Sequence, residues 1–434
     1  MSGSLIGALG VAVLFLLLVL RMPVGIAMLL VGFCGTWALN GLQSAYATMA
    51  NEAYVMASYY ELIVIPLFVL LGNVASVSGM SRDLYAAAYA WIGPVRGGLA
   101  TATILGCSGF AALSGSSVAS AATMGGVALP EMKRYGYDPR LATGAVAAGG
   151  TLGILIPPST GFVIYAILTE ESIGRLFMAG VLPGILLTLL FVATVIWLTQ
   201  RNPKLGPPGP PADAGARRRS LLQAAPMLGI ILGTIGGIYL GIFTPVEASG
   251  IGAFLACLVA MARRSLDRKR IEEVLLATVR TSSMCFLILI GAHVFSPFLA
   301  LTHIPDILGS ALLGLELNRY LILGLILVVY ILLGTFLEGF AMLVLTLPIV
   351  FPIITALGFD PIWFGVLVVI TLEMGLISPP VGVNVFVVKA LAEDVPMRTV
   401  FEGILPFWIA MAVCLILLIL FPEIALMLPR SMLG

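Results

Sequence analysis

Two stretches of this 434-residue chain combine small residues with side-chain oxygens in a way that could bind ions. They are Ser114–Ser117 and Gly334–Glu338. Serine and threonine hydroxyls are hard oxygen ligands, and main-chain carbonyls freed by an interrupted helix are further ones. Such segments make poor lipid-facing helices. We therefore expect them to be the tips of two re-entrant helical hairpins, at about residues 97–130 and 320–357.

A proline pair interrupts the apolar helix that follows each expected hairpin. Gly149–Gly153 precedes Pro157-Pro158, and Glu373–Ser378 precedes Pro379-Pro380, which Asn384 follows. Because proline lacks an N–H and clashes with the preceding turn, both helices should break into halves. The N-terminus of a half-helix attracts an anion, whereas freed carbonyls and a half-helix C-terminus coordinate a cation such as sodium.

Two acidic residues, Glu338 and Glu373, fall in these stretches. A charge at membrane depth costs roughly 2.5 kcal/mol or more, so each carboxyl is a candidate for function. The alternative is a protonated or hydrogen-bonded carboxyl with a structural role. Close helix packing is likewise an alternative explanation for the glycine and serine content.

The composition predicts a polytopic α-helical membrane protein. Apolar residues make up 60% of the chain and charged ones only 10%, far from the balance of a soluble domain. The apolar runs are too long for the alternating strands of a β-barrel. The first run lacks a basic n-region, so we interpret it as a membrane helix and not as a signal peptide.

The polar residues give no sign of an enzyme, a disulfide or a transition-metal site. All five cysteines lie in apolar segments, outside the paired spacing of metal sites. Ser116 or Ser117 as a nucleophile would need a base, but His293 and His303, the only histidines, lie far along the chain. We therefore predict no enzymatic activity, no disulfide, no transition-metal centre and no organic cofactor.

The chain divides into two halves, residues 1–200 and 221–434, joined by a Pro/Arg-rich linker at 201–220. Short sequence motifs of the first half recur 222 residues later: Gly136-Tyr137-Asp138-Pro139 corresponds to Gly358-Phe359-Asp360-Pro361. Both proline pairs keep this offset, which indicates an internal repeat. Membrane spans are expected at about residues 4–20, 24–40, 60–80, 140–168, 176–199, 221–241, 246–262, 274–300, 362–388 and 400–427.

The positions of Lys and Arg predict the orientation, because cytoplasmic loops retain positive charge. With the linker inside, all but three of the 22 Lys and Arg residues lie at the cytoplasmic face. The exceptions are Arg175, Arg319 and Arg430. Both chain termini are then periplasmic, and the two halves run in opposite directions. Inverted repeats are typical of secondary transporters.

Three segments resemble the large membrane subunit of tripartite ATP-independent periplasmic (TRAP) transporters. They are Leu113–Ala119, the long run from Ala142 through Gly149–Gly153 to Ser159, and Thr244-Pro245-Val246-Glu247-Ala248. The resemblance covers essentially the whole chain. In this family the hairpin often carries an acidic residue where Ser120 stands, so the role of that position is open.

The resemblance implies a sodium-coupled importer of small organic anions in the bacterial cytoplasmic (inner) membrane. It implies an elevator mechanism, in which a scaffold holds a mobile transport domain containing both hairpins. It also implies two partners, a periplasmic substrate-binding protein and a small four-helix membrane subunit. The first span begins near Ser4, so the small subunit is expected to be a separate chain.

Within this family the sodium sites lie between each hairpin tip and its broken helix. Carried over to this sequence, one site pairs Ser114–Ser117 with Gly150–Pro157, and the other pairs Gly334–Glu338 with Glu373–Pro379. The candidate sodium- and substrate-binding residues are Ser114, Gly115, Ser116, Ser117, Gly150, Thr151, Gly153, Pro157, Pro158, Ser159, Gly334, Thr335, Glu338, Glu373, Gly375, Ser378, Pro379 and Asn384.

No residue selects among the family's substrates, which include C4-dicarboxylates, sialic acids, other sugar acids and ectoine-like solutes. Two other functions stay open. One is a sodium–dicarboxylate carrier that works without a receptor. The other is an anion channel with similar broken helices, which would conduct without coupling to sodium.

Overall fold

The computed structural model describes residues 2–211, 213–314 and 317–432. Within them the chain is helical throughout, and no strand is present. The helices are α1 Gly3–Val19, α2 Val24–Asn40, α3 Leu42–Ala57, α4 Val64–Val77, α5 Met80–Ile92, α6 Gly98–Ser114, α7 Ser117–Arg134, α8 Pro139–Leu155, α9 Thr160–Thr169, α10 Ile173–Arg201, α11 Ala214–Tyr239, α12 Pro245–Ala262, α13 Arg268–Leu301, α14 Ile304–Leu313, α15 Arg319–Gly334, α16 Gly339–Ala356, α17 Pro361–Leu376, α18 Val383–Leu391, α19 Met397–Leu420 and α20 Glu423–Ser431. A 3₁₀ turn, Tyr60–Ile63, leads into α4.

Eight stretches of the described chain are long and apolar enough to cross a membrane. They confirm the expectation of an all-helical protein with many spans. The stretch Pro139–Thr169, which holds α8 and α9, is 89% buried by the rest of the protein, so it lies in the core and not against lipid. The eight stretches are Tyr60–Val77, Pro139–Thr169, Ile173–Arg201, Ala214–Tyr239, Pro245–Ala262, Arg268–Leu301, Gly339–Ala356 and Met397–Leu420.

Helices of the first half recur in the second half at the spacing seen in the sequence. Helices α7 and α16 begin 222 residues apart, at Ser117 and Gly339, and end at the same offset. The same offset separates the start of α8 from that of α17, and the end of α9 from that of α18. One region differs. The single long helix α13 stands where the first half has α3, the 3₁₀ turn and α4.

The helices pack into two groups. The frame group is α1, α2, α4 and α11–α13, in which α2 lies along α13 and α4 lies along α12. Gly25 and Gly291 allow the first of these contacts, because a Cβ on either would collide with the facing backbone. The hairpin group is α6–α10 and α15–α19, packed around the buried helices α8 and α17. Short helices α5 and α14 precede the two hairpins.

Two expected boundaries differ from the structure. The span expected at 400–427 stops at Leu420, and α20 begins after Pro422, because proline disfavours a helical conformation in the residue before it. The linker expected at 201–220 is helical at both ends. The Asp213 carboxylate accepts a 2.6 Å hydrogen bond from the Ala216 N–H and so starts α11 early.

Candidate functional site

The tip of the first hairpin is a two-residue turn between α6 and α7. Gly115 has a φ of +57°, a left-handed conformation that glycine adopts without steric cost. The Ser116 hydroxyl caps α7 by accepting a hydrogen bond from the Ala119 N–H at 3.3 Å. The Ser114 and Ser120 hydroxyls lie 2.8 Å apart and bond to each other. The tip thus gathers hydroxyl and carbonyl oxygens in one place.

This tip rests on the break between α8 and α9. The Thr160 hydroxyl donates a 2.7 Å hydrogen bond to the Gly115 carbonyl oxygen. A Cβ on Gly153 would lie well inside van der Waals contact with the Ser116 carbonyl oxygen, and one on Gly115 would lie 2.9 Å from the Pro158 oxygen. Both glycines are therefore needed for the backbones to come this close.

The other candidates in the first broken helix have local partners. Gly150 faces Ala121, whose Cβ would lie 2.7 Å from a Cβ on the glycine. The Thr151 hydroxyl donates to the Ala148 carbonyl at 2.6 Å within its own helix. Ser159 caps α9. Pro157-Pro158 forms the turn between the two half-helices, and its peptide bond is cis, as is that of Pro379-Pro380.

The second tip rests on the second broken helix through two glycines. A Cβ on Gly375 would lie 2.6 Å from the Cα of Gly334. Thr335 lies in the turn, where its hydroxyl donates to the Leu332 carbonyl at 2.7 Å. Gly375 is the counterpart of Gly153 at the 222-residue offset, so the same position of each half contacts a hairpin tip.

Glu373 and Asn384 are the buried polar groups of the site that lack partners. Glu373 is 1% exposed, and among the described residues neither carboxyl oxygen has a hydrogen-bond partner; Asn384 is 0% exposed, and both its amide atoms are likewise unpaired there. The Ser117 hydroxyl faces the Glu373 carboxylate without bonding to it. Because buried polar groups are normally satisfied, this pair is the part of the site best suited to contact a ligand.

The two predicted carboxyls differ in burial. Glu373, predicted to pair with the second tip, faces Ser117 of the first tip, while its neighbours Leu372 and Gly375 contact Gly334 of the second tip. Glu338 is exposed at the start of α16, where its side chain makes no capping hydrogen bond. Ser378 is also engaged, since its hydroxyl donates to the Met374 carbonyl at 2.6 Å and accepts from the Trp408 indole at 2.9 Å.

Helix starts converge at this place. Helices α7 and α18 run side by side in the same direction, because Leu391 packs against Gly125 and Lys133 forms a 2.7 Å ion pair with Asp394. Their N-termini are therefore neighbours. The start of α9 joins them through the bond from Thr160 to the first tip. Three helix N-termini directed at one region create a positive potential that suits an anion.

The candidate residues predicted from the sequence omit Thr160 and Trp408, and the role of Ser120 was left open. Thr160 stands two residues after the proline pair, so its hydroxyl could have been included by position alone. Ser120 lies one helical turn into α7 and bonds to Ser114. Trp408, on α19, gives no sign in the sequence that its indole reaches Ser378 across the core.

Comparison with known proteins places these features in a family context. The sequence model of the "Tripartite ATP-independent periplasmic transporter, DctM component" family matches residues 11–424. A protein of Pseudomonas aeruginosa, "C4-dicarboxylate TRAP transporter large permease protein DctM", is 37% identical over 388 residues, which cover 88% of this chain and 89% of that one.

Other relatives carry different substrate names. The "Sialic acid TRAP transporter large permease protein SiaM" of Vibrio cholerae is 31% identical over 435 residues, covering 100% of this chain and 99% of that one. The "Isethionate TRAP transporter permease protein DctMQ" of Oleidesulfovibrio alaskensis is 32% identical over 381 residues, covering 87% of this chain and 59% of that one.

Among solved structures, the Alcanivorax borkumensis YdaH transporter has a similar fold. Its TM-score is 0.64 at 15% sequence identity, and the match covers 90% of this chain and 88% of that one. At this identity the likeness concerns the fold alone.

Proposed function

Because the chain belongs, as a large permease, to the DctM component family of tripartite ATP-independent periplasmic transporters, we propose that it imports a small organic anion by sodium symport. It is a multi-pass membrane protein. The observation that carries the proposal is the contact between each hairpin tip and a proline-broken helix, together with the buried Glu373 carboxyl, which faces Ser117 of the first tip and is unpaired within the described residues.

Sodium would bind at the two tips. At the first tip the Gly115 and Ser116 carbonyls lie against the broken helix, and the Ser114 hydroxyl lies beside Ser120 of α7; all three are oxygen ligands of the type sodium takes. Oxygen from the neighbouring Glu373 carboxylate would add a charge opposite to that of the cation. The second tip offers the turn at Gly334 and Thr335 against Gly375.

The anion would bind where the starts of α7, α9 and α18 meet. Their N-terminal dipoles attract negative charge, and the unpaired Asn384 amide can donate to a carboxylate. The relatives' names mention C4-dicarboxylate, sialic acid and isethionate, whose common feature is a negatively charged acid group. A small organic anion is therefore the substrate class that we propose.

Transport would proceed by an elevator mechanism. The hairpin group would move across the membrane while the frame group stays fixed. Sodium would stabilise each tip only when the tip rests against its broken helix. The recurrence of helices at a 222-residue offset supports two inverted repeats, in the orientation that the charged residues predict. Coupling would then be a difference in ligand affinity between the two end states.

Two partners complete the proposal. A periplasmic binding protein would deliver the anion, and a small four-helix membrane subunit would accompany this chain in the inner membrane, with both termini of the permease in the periplasm. The family name, which describes a tripartite periplasmic system, supports this assembly.

Uptake by proteoliposomes tests the proposal. The purified permease is reconstituted with its receptor and small subunit, and entry of a labelled C4-dicarboxylate and of sialic acid is measured with and without an inward sodium gradient. Uptake that needs sodium and both partners is expected. Sodium-dependent uptake by the permease alone would favour a receptor-independent carrier, and sodium-independent flux would favour a channel.

A pair of serine variants makes the test specific to the first tip. Ser116→Ala removes the hydroxyl that caps α7, whereas Ser108→Ala removes one that bonds within α6. Only the first change should raise the sodium concentration needed for half-maximal uptake. Equal sodium dependence in both variants would argue against a sodium site at this tip.

A further inference from the structure

A short segment of the linker between the two halves is bound to the hairpin group. We call residues 205–209 the strap. The Asp138 N–H donates to the Leu205 carbonyl at 3.0 Å, and the Gly97 N–H donates to the Gly206 carbonyl at 2.9 Å. The Gly209 N–H donates to the Gly93 carbonyl at 2.8 Å. A flexible linker would not make three such backbone bonds.

Two glycines allow the strap to lie this close. A Cβ on Gly206 would lie 3.0 Å from the Cα of Gly97 and 3.1 Å from the Tyr137 ring. A Cβ on Gly209 would lie 3.0 Å from the Gly93 carbonyl oxygen. Both glycines are buried, whereas Pro208 between them is exposed. The strap is therefore fitted to its place at specific positions.

The segment that the strap contacts joins helix α5 to the first hairpin. It runs from Gly93 to Gly97, which has a φ of +74°. The strap bonds to both ends of this segment, and through Asp138 also to the start of α8. The strap therefore bonds to both sides of the junction between α5 and α6.

Helix α5 packs against α11 of the frame group and, as extensively, against α6 of the first hairpin. Arg263, which caps the end of α12, forms an ion pair with Asp83 and donates a second bond to the Gln223 carbonyl on α11. Arg217 of α11 donates to the Ala90 carbonyl at 3.2 Å. These polar bonds join α5 to the frame group, and the segment from Gly93 to Gly97 connects α5 to the hairpin that is proposed to move.

We propose that the strap is a latch that positions the first hairpin relative to the frame group and holds the conformation seen here. This inference rests on the proposed function, because it assigns the strap a role in the movement of the hairpin group. Releasing the strap breaks the three backbone bonds described above. The latch therefore controls how often the hairpin leaves this position, although the strap itself does not contact sodium or substrate.

Three variants test the latch. Gly206→Val and Gly209→Val place side chains against backbone and should displace the strap, whereas Pro208→Val alters an exposed residue and serves as the control. Hydrogen exchange is measured on peptides covering residues 93–99 and 136–140. We expect exchange there to rise by about two- to tenfold per lost hydrogen bond in the glycine variants alone.

Two further readouts separate a latch from a merely structural contact. Spin labels at the exposed positions Arg82 on α5 and Arg134 on α7, with Cys34 and Cys257 replaced, report the distance across the junction. The glycine variants should lose population at the original distance. Their maximal uptake rate should rise by about two- to tenfold, while the half-saturating sodium concentration stays within about twofold of the parent.

Two outcomes would overturn the latch, and a third would separate it from the proposed function. Unchanged exchange in the glycine variants would mean that the strap does not hold the junction. Faster exchange with an unchanged distance and rate would mean that it is only structural. If the parent protein shows no sodium-dependent uptake but the label distance still depends on the strap, the proposed function fails and the latch stands.

Discussion

The Thr160 hydroxyl donates a 2.7 Å hydrogen bond to the Gly115 carbonyl oxygen and so joins the start of α9 to the tip of the first hairpin. The two residues are 45 positions apart in the chain. This bond connects the two elements between which the first sodium site is proposed, and it leads to the first prediction.

Thr160→Val should weaken sodium binding. The substitution keeps the shape of the side chain and removes one hydrogen bond, with a net value of about 1 kcal/mol, or roughly fivefold in sodium affinity. The half-saturating sodium concentration for uptake should rise accordingly. Thr169→Val is the matched control, because its hydroxyl bonds to the Tyr165 carbonyl within α9. An equal effect of both variants would contradict a special role for Thr160.

Gly153→Ala should disrupt the seating of the first tip. The added Cβ meets the backbone at Ser116, which cannot move without displacing the tip, and overpacking of this kind costs about 1–3 kcal/mol. We expect a lower melting temperature and a large loss of uptake. Gly126→Ala on α7 is the control, because nothing lies within 4 Å of its added Cβ. Normal uptake by the Gly153 variant would show that the close contact is dispensable.

Glu373→Gln and Glu338→Gln should differ in effect. Glu373 is sealed in the core beside Ser117, whereas Glu338 is exposed at the second tip. Loss of the carboxylate contact to bound sodium should lower sodium-dependent uptake by about tenfold or more, the effect of a charged contact worth at least about 1.5 kcal/mol. The Glu338 variant should stay within about twofold of the parent. The reverse order would relocate the charged ligand to the second tip.

Lys133→Met should alter the acid stability of the protein. The Lys133 ammonium donates to Asp394 and lowers the pKa of that carboxyl by this hydrogen bond and by its charge. A carboxyl with a depressed pKa contributes stability at neutral pH, which is lost as the pH falls through its folded-state value, below the usual aspartate range. The parent should therefore lose more thermal stability than the variant on acidification.

The melting temperature from neutral pH down to about pH 3 checks this prediction. Lys204→Met is the control, because this exposed lysine in the linker is in no ion pair within the described residues. The difference between parent and Lys133 variant should be small, since both partners of the pair are mostly exposed. Identical pH profiles would mean that the ion pair contributes nothing in solution.

Much of the fold was accessible from sequence because its signals are local. Apolar length predicted the spans, and the proline pairs predicted where α8 and α17 stop. The turns at Ser114–Ser117 and Gly334–Glu338 could be predicted because glycine-containing sequences interrupt the apolar runs there. Each of these features depends on residues within one or two helical turns of each other.

The rest depends on contacts between distant residues, which no local pattern encodes. No local pattern indicates that Ser117 of the first tip faces Glu373. Nor does any local pattern show that the Trp408 indole donates a hydrogen bond to the Ser378 hydroxyl, or that Glu338 is exposed. The amphipathic helix α5 was not expected, because it is too short and polar to read as a span.

The strap has a practical consequence for anyone who engineers this protein. A proline-rich connection between two repeated halves is a natural place to insert an epitope, fuse a reporter or express the halves as separate chains. Within residues 205–209 such an insertion would remove contacts to Gly93, Gly97 and Asp138. An insertion after the exposed residue Pro211 would leave those contacts intact, and that is the position to choose.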